Sequence, residues 1–259
     1  MTPTAKKTAQ IKVLGSNIDL LQMDQVLECM EEWIQEKGPN KYIVASGMHG
    51  IMEAHKDSEF KQIVNSAALF VADGISLVWV ARLRGHSLKR RVSGPTLMSH
   101  FLELAHNKGY KVFFYGDTQE ILDLLTTKLN QRYSQLNVVG AYSPPFRELS
   151  EEEDQEIVGM INESQADVVW IGLGLPKQER WMADHQNRLT VPVSVGVGAA
   201  FKFESGAVGR APSWLGELGF EWMWRLVQEP RRIWRRVFMD GPRFAGHIFL
   251  ELSKLKKYE

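Results

Sequence analysis

Two glycine-rich turns are the first feature of this sequence that could bind a ligand. A short apolar, β-branched run precedes GLGLPKQE (172–179), and another precedes GVGAAF (196–201). Such runs are typical of strands buried on both faces. A glycine turn that leads from a parallel strand into a helix presents backbone amides to anions. The pattern predicts a nucleotide or sugar-phosphate site, with Lys177, Gln178 and Glu179 at its mouth.

Asp73 is the candidate for proton transfer. It follows the apolar run LFVA (69–72) and precedes Gly74, where a buried strand would meet a helix. A carboxylate at that edge of a sheet could act as a general base on an acceptor hydroxyl. It could also be the N-cap of the helix, with no chemical role, and position alone favours that interpretation. Asp117 in GDT (116–118) poses the same choice, and there a cap is favoured.

The loop KRRVSGP (89–95) and the segment SGMHG (46–50) add polar candidates. Arg90 and Arg91 could clamp a diphosphate, or the loop could simply be solvated. His49 could bind substrate or be structural. The first glycine turn lacks the third glycine of a dinucleotide fingerprint, and no Walker motif is present. Both absences argue against a dehydrogenase and an NTPase.

Composition leaves the class of protein broad. The chain has 259 residues, 31 Lys and Arg against 31 Asp and Glu, and one cysteine. It is long enough to bury a full core, and the cysteine usage fits a reducing cytoplasm. The N-terminus has no signal-peptide pattern, and no run reaches the roughly 18 apolar residues of a spanning helix. We therefore expect a soluble or peripheral protein.

The elements that must position these residues alternate along the chain. Short apolar runs separated by helical segments predict an α/β fold, with a Rossmann-like parallel sheet and helices on both faces. The predicted strands are at 11–14, 42–45, 69–72, 112–115, 138–141, 167–171 and 191–197.

The last 41 residues, 219–259, differ in character, with tryptophans interleaved among arginines and an amphipathic final helix at about 244–257. They could form a nucleic-acid patch, a membrane-interface helix set, or helices docked on their own domain. The neutral total charge favours the membrane over nucleic acid. We predict a catalytic nucleotide-sugar domain at 1–218 and a basic amphipathic helical appendage for membrane and acceptor binding at 219–259.

Five motifs in order resemble those of one family. They are ADG (72–74), RVSG (91–94), GLGLPKQE (172–179), GVGAAF (196–201), and GFEWMWR (219–225) with EPRR (229–232). This set resembles the WecG/TagA/CpsF glycosyltransferases (family 26) of bacterial surface polysaccharide synthesis. The resemblance implies inverting, metal-independent transfer from a UDP-sugar to a polyprenyl-diphosphate-linked saccharide, without a cofactor. It places the protein in the cytoplasm, peripheral on the inner face of the cell membrane. No nucleic-acid partner is expected, and a homo-oligomer stays open.

The resemblance also implies roles for single residues. Asp73 falls on the proposed general base, Gln178 on a donor-site residue and Arg91 on the residue assigned to the diphosphate. No DxD pair is present, so Arg91, the glycine-turn amides and the C-terminal arginines would stabilise the departing UDP. Expected donor-binding residues are Ser46, Gly47, Arg91, Gly94, Gly174, Lys177, Gln178 and Gly198. Expected acceptor-pyrophosphate residues are Arg225, Arg231, Arg232, Arg235 and Arg236.

Two departures from the family pattern concern the donor sugar. Gly47 stands where many members have the Asn of a Thr-x-Asn motif, and Lys202 stands where many have Asp. The first departure makes the sequence look closer to exopolysaccharide members, which are proposed to move glucose or a related hexose. We expect a hexose or N-acetylhexosamine-type donor. The alternatives are a UDP-N-acetylmannosamine(uronate) transferase of teichoic-acid or enterobacterial-antigen type, or a non-catalytic nucleotide-sugar-binding subunit.

Overall fold

A central sheet organises the structure, a computed structural model that describes residues 9–209, 221–228, 234 and 236–258. Its eight strands lie in the order β1-β2-β4-β3-β8-β7-β5-β6. The first two strands pair antiparallel, and the other pairings are parallel. The strands are β1 (Gln10–Val13), β2 (Ser16–Asp19), β3 (Lys41–Ser46), β4 (Leu69–Ala72), β5 (Lys111–Gly116), β6 (Asn137–Tyr142), β7 (Val168–Gly172) and β8 (Val193–Gly196).

The predicted α/β class is confirmed, and the edge hairpin is the main difference. β2 reads Ser-Asn-Ile-Asp, so it has no apolar run that would indicate a strand. Tertiary hydrogen bonds hold it instead, because Asp19 Oδ2 accepts from Phe70 N at 2.8 Å and Asp19 Oδ1 accepts from Gln10 Nε2 at 2.8 Å. Such partners lie outside any local sequence window.

Helices cover both faces of the sheet, as predicted. They are α1 (Met23–Glu36), α2 (Met48–Lys56), α3 (Ser58–Asn65), α4 (Ile75–Leu83), α5 (Gly94–Lys108), α6 (Gln119–Arg132), α7 (Glu151–Glu163), α8 (Lys177–His185), α9 (Ala200–Glu204), α10 (Glu221–Gln228) and α11 (Gly241–Leu252), with a π-helix at Arg236–Asp240.

The strands divide their side chains between two apolar layers. In β3, Tyr42 and Val44 face the layer that contains α2, α3, α4, α7, α8 and α11. Ile43 and Ala45 face the other layer, which contains α1, α5, α6 and α9. This alternation follows from the two-residue period of a strand, and it leaves the strand ends as the place where polar side chains collect.

Side-chain caps fix where two helices begin near that edge. Ser93 Oγ accepts from Thr96 N at 3.3 Å and starts α5. Thr118 Oγ1 accepts from Ile121 N at 3.3 Å and starts α6, so the GDT turn does cap a helix, with Thr118 and not Asp117 as the N-cap. Satisfying these first-turn amides determines the direction in which each chain leaves its strand.

The C-terminal segment shares the core of the sheet. Phe244 and Ile248 of α11 are buried in the layer that contains α4. Glu251 accepts from Arg84 Nη2 at 2.6 Å and from Leu14 N at 3.3 Å. The interpretation of a docked helix is therefore confirmed for α11. The boundary at 218/219 stays a prediction.

Among the described residues, none of the helices combines the length and the apolar character that crossing a bilayer requires.

Candidate functional site

The carboxyl ends of four central strands open into one cavity. It has a volume of about 540 Å³, a size typical of small-molecule sites. It lies where β3 pairs with β8, between the two halves of the sheet, which is the expected ligand position in an open α/β sheet. Of the predicted site residues, the cavity lining contains Ser46, Gly47, Asp73, Arg91, Gly174, Gln178 and Gly198.

The other predicted site residues are placed differently. Gly94 is buried against Val197, while its neighbours Ser93 and Pro95 line the cavity. Lys177 is exposed on the first turn of α8, outside the lining. The side chains of Arg225 and Arg236, and all of Arg231, Arg232 and Arg235, lie outside the described residues, so their roles stay predictions.

Asp73 lies at the end of β4, in the wall of the cavity. Its backbone N–H donates to Ser46 O at 3.1 Å, which ties the ends of β3 and β4 together. The N-cap of α4 is Gly74, which has no side chain to cap the helix. The interpretation of Asp73 as a cap is therefore wrong. Its carboxylate is placed where a bound hydroxyl could reach it.

Arg91 approaches the same point from a separate loop. Val92 N donates to Ala72 O at 2.9 Å, which holds this loop against the end of β4. The Nη1 atom of Arg91 lies 3.4 Å from Asp73 O and 4.0 Å from Asp73 Oδ1. The guanidinium also lines the cavity, so the interpretation of a simple solvated loop does not hold for Arg91. A carboxylate and an arginine side chain therefore share one wall of the cavity.

Gln178 joins the two glycine turns. Its Oε1 accepts from Gly174 N at 3.2 Å and from Gly198 N at 2.9 Å, and its Nε2 donates to Glu179 Oε1 at 2.8 Å. The side chain is buried, so these bonds fix its orientation. The two glycine amides that the sequence assigned to phosphate are thus already paired. That expectation is wrong for Gly174 N and Gly198 N.

Glu179 is a buried acid in the cavity lining. Its Oε1 accepts from Gln178, and its Oε2 is buried without a hydrogen-bond partner among the described residues. Desolvation disfavours the charged form and raises the pKa of Glu179 from 4.5 to about 7. The sequence placed this residue only at the mouth of the site. The signal for burial was its spacing of three from Met182, on the inner face of α8.

Gly47 occupies a close contact between two strand ends. A Cβ atom added at Gly47 would lie 3.1 Å from the Cα and the N of Gly74, both backbone atoms. A larger residue there requires the β4 turn to move by a few tenths of an ångström. A Cβ at Gly50 would meet Ser46 Oγ and Leu175, so this wall is tightly packed. The local packing therefore favours glycine over a larger residue at position 47.

Comparison with known proteins identifies the family. The sequence model of the WecG/TagA/CpsF glycosyl transferase family matches residues 11–258. This chain belongs to that family of glycosyltransferases.

Three relatives of this glycosyltransferase have the same activity in their names. Proteins of Staphylococcus aureus strains MW2, NCTC 8325 / PS 47 and MRSA252 are each 31% identical to it over 251 residues, which cover 96% of each chain. Each is named N-acetylglucosaminyldiphosphoundecaprenol N-acetyl-beta-D-mannosaminyltransferase. These names agree with the alternative from the sequence better than with the hexose expectation.

The C-terminal segment supplies part of the cavity wall of this glycosyltransferase. Val237 of the π-helix and Gly241 at the start of α11 are among the residues that line the cavity. Asp240 Oδ2 lies 3.4 Å from His49 Nδ1, and its Oδ1 lies 3.5 Å from Lys56 Nζ. His49 itself lines the cavity. Both sequence interpretations of His49 therefore have support, because it borders the site and contacts a structural partner.

Proposed function

We propose that this glycosyltransferase moves a sugar from a UDP-sugar to a saccharide linked to polyprenyl diphosphate, with inversion and without a metal ion. The observation that carries the proposal is the shared wall of Asp73 and Arg91 in a cavity at the carboxyl ends of the strands. A single-displacement transfer needs a base for the acceptor hydroxyl and a cation for the leaving diphosphate. These two side chains provide one of each.

In the proposed step, Asp73 accepts the proton of the acceptor hydroxyl as that oxygen attacks the anomeric carbon. The new glycosidic bond forms on the face opposite the departing UDP, so the configuration inverts. The bond between the anomeric carbon and the diphosphate oxygen breaks, and UDP leaves with the electron pair. Asp73 is suited to the role because it lies in the wall of the cavity, at the end of β4.

Arg91 is assigned to the diphosphate. Its guanidinium reaches the cavity from a loop that Val92 fixes to β4, and a planar guanidinium can bind two phosphate oxygens at once. Among the described residues, no group of three or more His, Cys, Asp or Glu side chains could hold a metal ion. A comparison of transfer rates with and without EDTA tests metal independence.

The first candidate donor is a UDP-N-acetylhexosamine, namely UDP-N-acetylmannosamine. It is supported by the transferase name of relatives that match nearly the whole chain. An N-acetylglucosaminyl-diphosphate lipid is then the first acceptor to test. The site of action would be the cytoplasmic face of the membrane, with the protein peripheral, because both substrates meet there.

A UDP-hexose is the second candidate, and one observation favours it. Gly47 offers no side chain where many family members have Asn, and its contact with Gly74 leaves no space for one without movement. Lys202 in place of Asp adds a second difference. A site that lacks these polar partners could accept a sugar without the N-acetyl group.

The test is a substrate panel read by product mass. Purified protein is incubated with UDP-N-acetylmannosamine, UDP-N-acetylglucosamine and UDP-glucose, each with polyprenyl-diphosphate saccharides, in the presence of EDTA. We expect an acceptor extended by one N-acetylhexosamine unit, at the same rate with and without EDTA. A strict requirement for Mn²⁺ would contradict the metal-independent step. UDP binding without any product would favour the non-catalytic subunit instead.

A further inference from the structure

Helix α4 exposes an apolar face that starts at the cavity. Ile75 and Trp79 line the cavity, and Leu83 lies one turn beyond Trp79 on the same side of the helix. Trp79 is 54% exposed and Leu83 is 71% exposed. At 1.5 Å per residue, this face extends about 12 Å from Ile75 to Leu83. The three side chains form what we call the α4 stripe.

Within the α4 stripe, Ile75 packs partly against the core, whereas Trp79 and Leu83 are exposed. The opposite side of α4 already packs against the sheet through Leu77, Val78 and Ala81, among others. A helix with one buried face normally carries polar residues on the other face. Here the outer face presents a tryptophan and a leucine instead. A contiguous exposed apolar patch beside a ligand cavity marks an interaction surface.

Both arginines at the end of α4 are directed away from the stripe. Arg82 donates from Nε to Leu88 O at 3.0 Å and from Nη2 to Lys89 O at 2.6 Å. Arg84 pairs with Glu251 at 2.6 Å. These contacts keep two cations off the outer face of the helix. Within the described part of the chain, the Lys or Arg residue in the cavity lining is Arg91, which is close to Asp73 and not on the stripe.

We propose that the α4 stripe binds the first isoprene units of the acceptor's own lipid chain. This inference rests on the proposed function. The acceptor is an amphiphile whose sugar hydroxyl must reach Asp73 and whose diphosphate requires cations. Its hydrocarbon chain must then leave the cavity over a surface that is apolar and continuous with it. Trp79 at the rim and Leu83 beyond it provide that surface, and the chain removes both from water.

The π-helix adds an apolar residue to the cavity lining, and exposed apolar residues follow it in the chain. Val237 lines the cavity, and its neighbours Phe238 and Met239 are exposed. The acceptor chain would therefore leave between α4 and the π-helix. Contact with bilayer acyl chains is the competing use of the stripe, and the experiment separates the two.

The experiment compares two acceptors with the same saccharide and diphosphate. One carries a chain of several isoprene units, and the other carries a short saturated stub. The variants are Leu83→Ala and Trp79→Ala. The matched control is Leu124→Ala, a leucine of α6 that is 42% exposed and lies outside the cavity lining. Thermal unfolding checks that each variant is folded.

We expect the ratio of kcat/KM for the long-chain acceptor to that for the stub to fall by roughly tenfold in the Leu83 and Trp79 variants. Losing a few hydrocarbon contacts in an apolar site has effects of that order. Leu124→Ala should keep the wild-type ratio. An unchanged ratio in both test variants overturns the inference. If the variants bind less to anionic vesicles but keep the wild-type ratio of kcat/KM for the two acceptors, the stripe contacts the bilayer. That result also overturns the inference.

An absence of turnover in the wild-type protein would contradict the proposed function. A binding measurement would still test the inference about the α4 stripe. Calorimetry then compares geranylgeranyl diphosphate with inorganic diphosphate. The inference requires tighter binding of the lipid form by wild-type protein and loss of that advantage in Leu83→Ala. Equal binding of the lipid form by Leu83→Ala and wild-type protein counts against it.

Discussion

Replacing Asp73 by asparagine is expected to lower kcat by roughly 10²–10⁴-fold, the usual effect of losing a general base. Asparagine keeps the shape of the side chain but cannot accept the proton of the acceptor hydroxyl. Asp73 borders the cavity, and Gly74 rather than Asp73 is the N-cap of α4. The substitution therefore removes chemistry without removing a helix cap. Initial rates at saturating donor and acceptor measure the effect.

UDP affinity separates this result from a damaged site. Calorimetry should give similar UDP dissociation constants for wild-type protein and Asp73→Asn, because Arg91, the side chain assigned to the diphosphate, remains. Asp184→Asn, an exposed aspartate of α8 outside the cavity lining, is the matched control and should keep full activity. If Asp73→Asn transfers sugar at the wild-type rate, Asp73 is not the base.

In the wild-type protein, the ionisation of Glu179 is expected to lower the free energy of unfolding by about 3 kcal/mol as the pH rises. Replacing Glu179 by glutamine is expected to abolish that decrease. Burial raises the pKa of Glu179 in the folded protein from 4.5 to about 7. The unfolded chain therefore ionises at lower pH than the folded protein does. The contribution of Glu179 to the free energy of unfolding is therefore fully present below about pH 4.5, where the acid is protonated in both states. That contribution is lost as the pH rises through about 7. The shift of about 2.5 pKa units corresponds to about 3 kcal/mol.

The measurement is the free energy of unfolding in urea at about pH 5 and about pH 8 for both proteins. Other groups also titrate, so the difference between the two proteins isolates Glu179. Glutamine can still accept from Gln178 Nε2 through its own oxygen, so the bond at 2.8 Å can be kept. Glu179→Gln should gain stability relative to wild type at the higher pH. Glu163→Gln, at an exposed end of α7, is the matched control. Parallel pH profiles for wild type and Glu179→Gln would contradict a titrating buried acid.

Local sequence patterns were sufficient for most of the fold. Apolar β-branched runs predicted the central strands because strands buried on both faces need continuous apolar residues. The glycine turns marked the carboxyl ends of two of them, and Asp73 and Arg91 were predicted site residues that the fold brings together. The β1–β2 hairpin was missed, because Asp19 and the backbone of Phe70 meet only after the chain has folded.

The functional site also combines features that the sequence determined with features that only the tertiary structure decided. The sequence by itself determined the α/β class, the ligand edge of the sheet and the residue types placed there, because these depend on short-range periodicity and turn chemistry. Tertiary structure alone decided how those residues are used. It pairs two glycine amides with Gln178, buries Glu179 beside them and leaves Trp79 and Leu83 exposed on α4. Hydrogen-bond partners and the degree of desolvation depend on atoms that are distant in sequence, so a local pattern such as the spacing of Glu179 and Met182 indicates a buried face but not these contacts.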